Sequence, residues 1–407
     1  MKEHRPEVTD VFRTHGDDYE RMYGTSTSAE QRRVLRDLSI CRTAALGGHK
    51  KRCDRCGHEQ VVYNSCRNRH CPKCQAAARK QWLVARQQDL LDVPYFHVVF
   101  TVPEPLGPLA LHNKRVLYGL IFRAASDTLA TLARDPKHLG AEIGFLAVLH
   151  TWGENLHHHP HLHCVVPGGG LSRDPIGWVA CANNFFLPVR VLSRLFRGKF
   201  LSFLQDAFDR GQLRFSGKLQ ALAQTASWKS FMKRLRSIDW VVYAKPPFGG
   251  APQVLKYLAR YTHRVAISNQ RLVSIEDGKV SFLWKDYAHG NQQRTMTLDA
   301  VEFIRRFLLH VLPKGFVRIR YYGFLAHPQR KDKLALIRNL SDHEATGNTP
   351  STVHDNQPHS ASSSQDNPYE RCPRCQVGTM ILLERIPPAD PLPWDLLRKP
   401  IPRNRPP

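Results

Sequence analysis

Near the middle of the chain the sequence reads His157-His158-His159-Pro160-His161-Leu162-His163-Cys164-Val165-Val166, and the strand it predicts organises the rest of the fold. The residues from Leu162 onward are apolar and partly β-branched, and proline is tolerated at the start of a strand. The period of two places His161 and His163 on one face of this strand. Two imidazoles on the same side are positioned to bind one divalent metal ion. The alternative is a histidine-rich surface loop that binds metal only incidentally.

A predicted hairpin suggests a third metal ligand. Residues 143–152 read as a strand, and Gly153-Glu154-Asn155 supplies turn residues before the histidine strand. If the two strands pair antiparallel, His150 lies opposite His161, and opposed residues share a face. A slip of one residue in the pairing would turn His150 to the other face. We predict His150 as the third ligand; the alternatives, in order, are Glu154, His159 and the more distant His97.

A second pattern lies about ninety residues downstream, between Pro252 and Arg264. It predicts a helix with proline in its first turn. Tyr257 and Tyr261 are four residues apart and therefore share one helical face. They border a basic stripe that suits a phosphate backbone, made of Lys256, Arg260 and Arg264. Tyrosines at the border of an amphipathic helix are also common without any catalytic role, and Tyr19 and Tyr23 show the same spacing.

The combination of a His-hydrophobic-His strand with a Tyr-x-x-x-Tyr helix resembles the HUH endonucleases. More narrowly, the chain resembles the two-tyrosine rolling-circle insertion-sequence transposases, the insertion sequence ninety-one family. The resemblance extends from about Cys41 to about Arg330. It rests on a cysteine module and on three motifs: His150-Thr151-Trp152-Gly153, His159-Pro160-His161-Leu162-His163 and Tyr257-Leu258-Ala259-Arg260-Tyr261-Thr262-His263-Arg264.

The resemblance implies a mechanism. Mg²⁺ or Mn²⁺ on His161, His163 and the third ligand would polarise the scissile phosphate. One tyrosine would attack to give a 5′-phosphotyrosine and a free 3′-OH, and the covalent bond would conserve the energy needed for rejoining. The second tyrosine would permit a further cleavage. Single-stranded DNA at element ends and target is the expected substrate. The sequence has no phosphate-binding loop of the helicase type, so we expect the host helicase and replication machinery as partners.

Composition agrees with a DNA partner. The chain has 59 Lys and Arg against 35 Asp and Glu, a formal net charge of +24. Such an imbalance raises affinity for polyanions and does not help folding. No run of 18 or more apolar residues appears, which argues against a membrane protein. We expect a bacterial cytoplasmic protein associated with the nucleoid. The sequence contains no pattern that indicates an oligomeric state.

The cysteines predict a structural zinc site. Cys53-Asp54-Arg55-Cys56 and Cys71-Pro72-Lys73-Cys74 are two Cys-x-x-Cys knuckles separated by fourteen residues. In a reducing compartment this spacing favours one tetrahedral Zn²⁺ on Cys53, Cys56, Cys71 and Cys74. Further potential ligands lie close by, so the set could be rearranged or a second metal added: Cys41, His49, Cys66 and His70. The basic residues of this module suggest a role in reading the element's end.

We predict an α+β fold, with a mostly antiparallel HUH-type sheet and covering helices preceded by a small zinc-binding module. The predicted organisation is a helical and zinc-binding DNA-recognition module over 1–92, a catalytic domain over 93–330, a disordered linker over 331–370 and a tail over 371–407. The tail contains Cys372 and Cys375, half a zinc knuckle, whose partner must come from elsewhere in the chain or from another subunit.

Two other functions remain open at this point. A plasmid or phage replication initiator or relaxase would use the same chemistry. A zinc-dependent DNA-binding protein without catalysis would have the histidine run only incidentally.

Overall fold

The computed structural model describes residues 5–87, 89–173, 177–182, 186–248, 265–287, 289–326, 328–345 and 371–389. Helices and antiparallel strands alternate along the chain, and every described strand pair is antiparallel. The α+β class is therefore confirmed. Within these residues the strands form sheets of five, three, three and two strands.

The five-stranded sheet carries the histidine strand at its centre. Its members are β3 (Tyr95–Thr101), β4 (Phe145–Trp152), β5 (His158–Pro167), β8 (Val242–Phe248) and β12 (Ile319–Tyr322). Their order is β12-β4-β5-β3-β8, so β5 pairs with β4 on one side and β3 on the other. A two-stranded pair, β6 (Gly169–Leu171) with β7 (Trp178–Ala180), follows β5 along the chain. The histidine strand is therefore the central strand of this sheet.

One face of this sheet is buried under helices. The residues of β5 that alternate with the histidines are Leu162, Cys164 and Val166, all at 0% exposure. They belong to one core with α4 (Gly107–His112), α5 (Lys114–Arg134), α6 (Val189–Asp209) and α7 (Thr225–Ser237). Helix α5 is apolar and long enough to cross a membrane, but its apolar residues pack in this core. The alternation therefore leaves the histidines on the opposite face.

A second core joins the beginning of the chain to residues 266–311. Helices α1 (Val8–Tyr23) and α2 (Ala29–Ser39) pack against α8 (Ala300–Leu309), where Phe12 and Phe307 meet at 5.1 Å between ring centroids. The three-stranded sheet of β9 (Leu272–Glu276), β10 (Lys279–Asp286) and β11 (Gln292–Asp299) contributes to the same core. Residues 265–267 are also buried and form no strand.

The cysteine module is built from both ends of the chain. Strands β1 (Gly48–Cys53) and β2 (Glu59–Tyr63) pair as a hairpin, and α3 (Pro72–Gln87) follows them. The outer partner of β1 is β13 (Met380–Ile386), from the segment predicted to be a separate tail. The linker prediction is wrong for residues 331–345, which form helix α9 (Arg330–Ala345), and the rest of the predicted linker lies outside the described residues. The α9 residues Leu334 and Ile337, three apart, are buried on one face.

Candidate metal and DNA-processing site

Three histidines converge on the face of the five-stranded sheet opposite the core with α4 to α7. The strands β4 and β5 pair in the predicted register, with His150 opposite His161. His163 lies two residues further along β5, on the same face. One potential ligand atom from each of the three lies within 4.8 Å of the others. We call His150, His161 and His163 the histidine triad; its role as a metal site remains a prediction.

Local contacts orient two rings of the triad. The Nδ1 atom of His161 lies 2.7 Å from the carbonyl oxygen of His159, which can only accept, so Nδ1 carries the proton and the lone pair is on Nε2. The Nδ1 atom of His163 lies 2.8 Å from Nε2 of His97 on β3. Burial lowers the pKa of His97 to about 3, so its ring is neutral at neutral pH. His97, a distant ligand candidate in the sequence, thus contacts a triad ring rather than joining the triad.

The other ligand candidates lie apart from the triad. Glu154 forms an ion pair with Arg271 at 3.2 Å, which commits its carboxylate to a guanidinium. The His159 side chain is exposed, and its ring centroid lies 5.2 Å from that of His161. Neither belongs to the group of close ligand atoms. The geometry therefore favours the first choice, His150, over Glu154 and His159.

The donor set of the triad fits a divalent transition metal. Imidazole nitrogens suit borderline cations, whereas Mg²⁺ prefers oxygen ligands, so the triad fits Mn²⁺ better than Mg²⁺. His150 and His163 are buried, at 2% and 8% exposure, while His161 is half-buried. A cation held by these rings would be accessible to a substrate oxygen on the side of the half-buried His161.

The neighbouring edge strand extends a polar surface from the triad. His163 is opposite Val99 on β3, and Val99 is opposite Tyr243 on β8, so all three share a face. The Tyr243 side chain is 49% exposed. The ammonium group of Lys245 lies 5.9 Å from the centre of its ring. No sequence pattern indicates this pair, because only the strand order brings β8 next to the strands that carry the histidines.

The predicted tyrosine helix lies outside the described residues, and with it Tyr257, Tyr261, Lys256, Arg260 and Arg264. The chain on either side of it is described: β8 ends at Phe248, and Val265, Ala266 and Ile267 are buried. The other tyrosine pair of this spacing has a structural environment. Tyr19 is 4% exposed in the second core, and its hydroxyl accepts a hydrogen bond from Thr27 at 3.3 Å.

The cysteine grouping predicted from spacing is wrong. The structure divides the predicted set between two groups of four, each with its ligand atoms within 4.8 Å of one another. The first cysteine cluster consists of Cys41, Cys66, Cys71 and Cys74. The second cysteine cluster consists of Cys53, Cys56, Cys372 and Cys375. Cys53 and Cys56 turn toward the end of the chain because β1 pairs with β13, whereas Cys71 and Cys74 lie at the start of α3. This grouping supports the alternative in which the cysteines bind a second metal ion.

The first cysteine cluster connects the N-terminal helices to the five-stranded sheet. Cys41 follows α2, and its sulfur lies 3.7 Å from that of Cys71 and 3.8 Å from that of Cys74. Next to the cluster, Arg69 donates hydrogen bonds to three backbone carbonyls of residues 312–316. Arg318 immediately precedes β12, and its buried guanidinium donates a hydrogen bond to the Gln75 amide oxygen on α3 at 3.1 Å. These hydrogen bonds hold the first cysteine cluster and α3 against the segment that precedes β12.

Several basic residues of this module are held by internal partners. Lys50 and Arg52 both contact Glu59, and Lys73 contacts Glu7. Arg69 is occupied by backbone carbonyls, as described above. Arg55 and Arg67 are exposed. Only part of the positive charge seen in the sequence is therefore directed to solvent in this module.

Comparison with known proteins agrees with this architecture. Residues 11–102 match the family model described as "Transposase zinc-binding domain", and residues 144–333 match the one described as "Putative transposase". The chain is 55% identical over 379 residues to "Putative transposase y4qJ" of Sinorhizobium fredii, covering 93% of this chain and 95% of the relative. It is 30% identical over 304 residues to "Transposase for insertion sequence element IS801" of Pseudomonas savastanoi pv. phaseolicola, covering 72% of each. No solved structure matches the chain.

Proposed function

Because this chain belongs to the IS91 family of insertion-sequence transposases, we propose that it nicks and rejoins single-stranded DNA through a phosphotyrosine intermediate. A transposase acts on DNA, and this family assignment agrees with the net charge of +24. The observation that supports the finer proposal is the histidine triad on the paired strands β4 and β5 of an antiparallel sheet. The element ends and the target are the proposed substrates.

The triad residues fit a catalytic Mn²⁺, with Mg²⁺ as the less suited alternative. When bound, such a cation polarises the scissile phosphate. Two of the three rings that would hold the cation, those of His150 and His163, are buried in the protein, so their positions would not depend on DNA. His97 fixes the His163 ring: in the tautomer that ligates through Nε2, Nδ1–H of His163 donates to Nε2 of His97.

We propose Tyr257 or Tyr261 as the nucleophile. The tyrosine oxygen attacks phosphorus, the bond from phosphorus to the 3′ oxygen breaks, and the phenolic proton passes to solvent while the 3′ oxygen is protonated. The products are a 5′-phosphotyrosine and a 3′-OH, and the reverse reaction rejoins strands without ATP. The sequence position supports this, since the tyrosines lie between β8 of the catalytic sheet and the buried residues 265–267. Tyr19 and Tyr23, by contrast, pack in the second core.

We further propose that the strand of DNA crosses β8 on its way to the triad, along basic residues that include Lys256, Arg260 and Arg264. Exposed tyrosine rings provide stacking surfaces for unpaired bases, and a nearby ammonium contacts phosphate. Single-stranded substrate implies unwinding by a host helicase. A cytoplasmic protein associated with the nucleoid would meet this substrate during replication.

Substitutions on β8 test the DNA path. We expect Tyr243→Ala to weaken binding of a single-stranded oligonucleotide by about tenfold, since one stacked base contributes about 1–3 kcal/mol. Tyr243→Phe should bind like the wild type because the ring is retained. Lys245→Ala should reduce the magnitude of the slope of log affinity against log salt by about one, which corresponds to the loss of one phosphate contact. Fluorescence anisotropy at several salt concentrations measures both effects. The matched control is Lys279→Ala, because Lys279 is an exposed lysine on β10. A loss of affinity and a change of salt slope in this variant equal to those of Lys245→Ala would contradict this path.

The contact between His97 and His163 gives a second test. We expect His97→Ala to weaken Mn²⁺ binding and nicking by about 10–100-fold, because partners of metal-ligating histidines contribute this much. Raising the Mn²⁺ concentration should restore most of the nicking rate, as expected of a residue that positions a ligand. A titration of the rate against Mn²⁺ separates this from loss of folding. A variant with wild-type Mn²⁺ dependence would show that His97 has no role in orienting His163.

The experiment that tests the proposed function is a nicking assay on a labelled single-stranded oligonucleotide carrying an element end, with and without Mn²⁺. Cleavage that needs Mn²⁺ and leaves a protein-linked 5′ product supports the proposal. Binding without cleavage at any metal concentration would favour a zinc-dependent DNA-binding protein instead. A replication initiator or relaxase shares the chemistry, and the family assignment argues against it.

A further inference from the structure

The second cysteine cluster combines residues from the two ends of the chain. We propose that Cys53, Cys56, Cys372 and Cys375 bind a second structural Zn²⁺, which fastens the C-terminal segment to the N-terminal module. Cys372 and Cys375 lie outside both matched family regions, which cover residues 11–102 and 144–333. The proposal concerns folding of the chain and does not depend on the proposed nicking reaction.

The sulfur positions fit a tetrahedral metal. Cys53 and Cys375 are 3.7 Å apart between sulfurs, and Cys56 and Cys372 are 3.6 Å apart. A Zn²⁺ with bonds of about 2.3 Å separates its sulfurs by about 3.8 Å. Disulfide sulfurs would be about 2 Å apart. The first cysteine cluster shows the same separations, 3.7 to 3.8 Å, within the matched zinc-binding region.

The two halves have matching backbone geometry. In the first, the backbone N–H groups of Arg55 and Cys56 point at the Cys53 sulfur, each at 3.4 Å. In the second, the N–H of Arg374 points at the Cys372 sulfur at 3.4 Å, and that of Gly378 at the Cys375 sulfur at 3.3 Å. Hydrogen bonds of this kind favour a thiolate, the form that binds zinc.

Both halves also end in the same turn. The residue after the second cysteine of each half is in the left-handed region, with φ of 68° at Gly57 and 62° at Gln376. A non-glycine residue in this region indicates that the surrounding turn holds the backbone there. The two halves therefore have a similar local backbone after their second cysteine.

The halves contact each other closely. A Cβ atom at Gly378 would meet the Cys53 sulfur and would lie 2.6 Å from Asp54 Oδ1 and 2.9 Å from Arg55 Cβ. Only glycine allows this approach. The Thr379 N–H donates to Asp54 Oδ1 at 2.8 Å, and the Asp54 N–H donates to the Thr379 carbonyl at 3.1 Å. The contact continues as the ladder between β1 and β13.

Apolar packing alone is too small to hold this segment. The apolar cluster between the two ends of the chain contains only three buried residues, Cys53, Cys372 and Met380, among those described. Most of the other residues of β13 are exposed. Units with so little core usually need a metal or disulfides for stability. Four thiolates with Zn²⁺ carry a net charge of −2, and each half places an exposed arginine, Arg55 and Arg374, next to its cysteines. A zinc ion thus supplies the stability that the core lacks.

Zinc analysis of the full-length protein tests this inference by the difference between variants. We expect the Cys53→Ser/Cys56→Ser variant and the Cys372→Ser/Cys375→Ser variant each to lose one zinc equivalent per chain. The variant with all four substitutions should also lose one, since both pairs hold the same ion. Two equivalents lost in the fourfold variant, or none in either double variant, would overturn the shared site. Cys181→Ser, at a half-buried cysteine outside both clusters, is the control and should lose none.

Mixing the two double variants tests whether the site lies within one chain. Each chain then lacks one half, so a site shared between subunits would regain zinc on mixing and refolding, whereas a site within one chain would not. Regained zinc would overturn the proposal.

A measurement on the wild type covers variants that fail to fold. The four thiols of the second cysteine cluster should resist alkylation until a chelator is added, as read by peptide mass spectrometry. Alkylation at full rate without chelator would contradict the site. Gly378→Ala keeps all four thiols but separates the halves, so these thiols should become reactive at lower chelator concentration, whereas Gly198→Ala, which meets no neighbour, should not change them.

Discussion

Replacing His161 or His163 with Ala is expected to reduce metal-dependent nicking by at least about a hundredfold, while DNA binding changes little. Each substitution removes one of the three nitrogens that lie within 4.8 Å of one another. Loss of about 3 kcal/mol of stabilisation of the charged transition state corresponds to a rate loss of roughly a hundredfold. Single-turnover nicking at saturating oligonucleotide measures the rate, and anisotropy measures the binding.

The matched control is His159→Ala, on the same strand. Its side chain is exposed and outside the triad, and the backbone carbonyl that orients His161 is retained. Nicking that survives in the His161→Ala/His163→Ala double variant would rule out the triad as the metal site. His150→Ala should resemble the other ligand variants; a wild-type rate there would transfer the third position to Glu154, whose carboxylate contacts Arg271.

Replacing both Tyr257 and Tyr261 with Phe is expected to abolish the covalent adduct with DNA completely. Phe removes the phenolic oxygen and keeps the ring, so folding and DNA binding should be close to wild type. Each single variant should lose complete transposition, because strand transfer from donor to target needs two cleavages. A denaturing gel with 5′- and 3′-labelled oligonucleotides measures the adduct, and a mating-out assay measures transposition.

Tyr19 and Tyr23 provide the matched pair for this experiment. They have the same spacing, but Tyr19 is buried in the second core. The Tyr19→Phe/Tyr23→Phe variant should form the adduct at the wild-type level. An adduct that persists in the Tyr257→Phe/Tyr261→Phe variant would show that another nucleophile acts.

The central sheet follows from local sequence patterns. The period of two along residues 158–167 separates the buried Leu162, Cys164 and Val166 from the histidines, and the short turn after Trp152 sets the register that brings His150 opposite His161. A hairpin of this kind has little freedom once one face must be buried. The α+β class and the register of this hairpin could therefore be predicted.

Contacts between distant parts of the chain could not be predicted in the same way. Spacing alone favours a zinc site on Cys53, Cys56, Cys71 and Cys74, since it contains no information that residues beyond 370 return to pair with β1. The position of His97 beside His163 depends on the order of β3 and β5 in the sheet. The linker prediction failed at residues 331–345 because a sparse apolar stripe in a polar sequence, Leu334 and Ile337, buries one side of a helix.

We expect a tyrosine of the Tyr257–Tyr261 pair to form the covalent bond to DNA next to the histidine triad. The most direct test is to trap the adduct on a labelled single-stranded oligonucleotide in Mn²⁺, digest the protein and map the modified peptide by mass spectrometry. The expected result is a 5′-phosphate linked to Tyr257 or Tyr261, and no adduct in the His161→Ala/His163→Ala variant. A DNA-linked peptide that contains Tyr19, Tyr23, Tyr243 or any other residue outside that pair would contradict it.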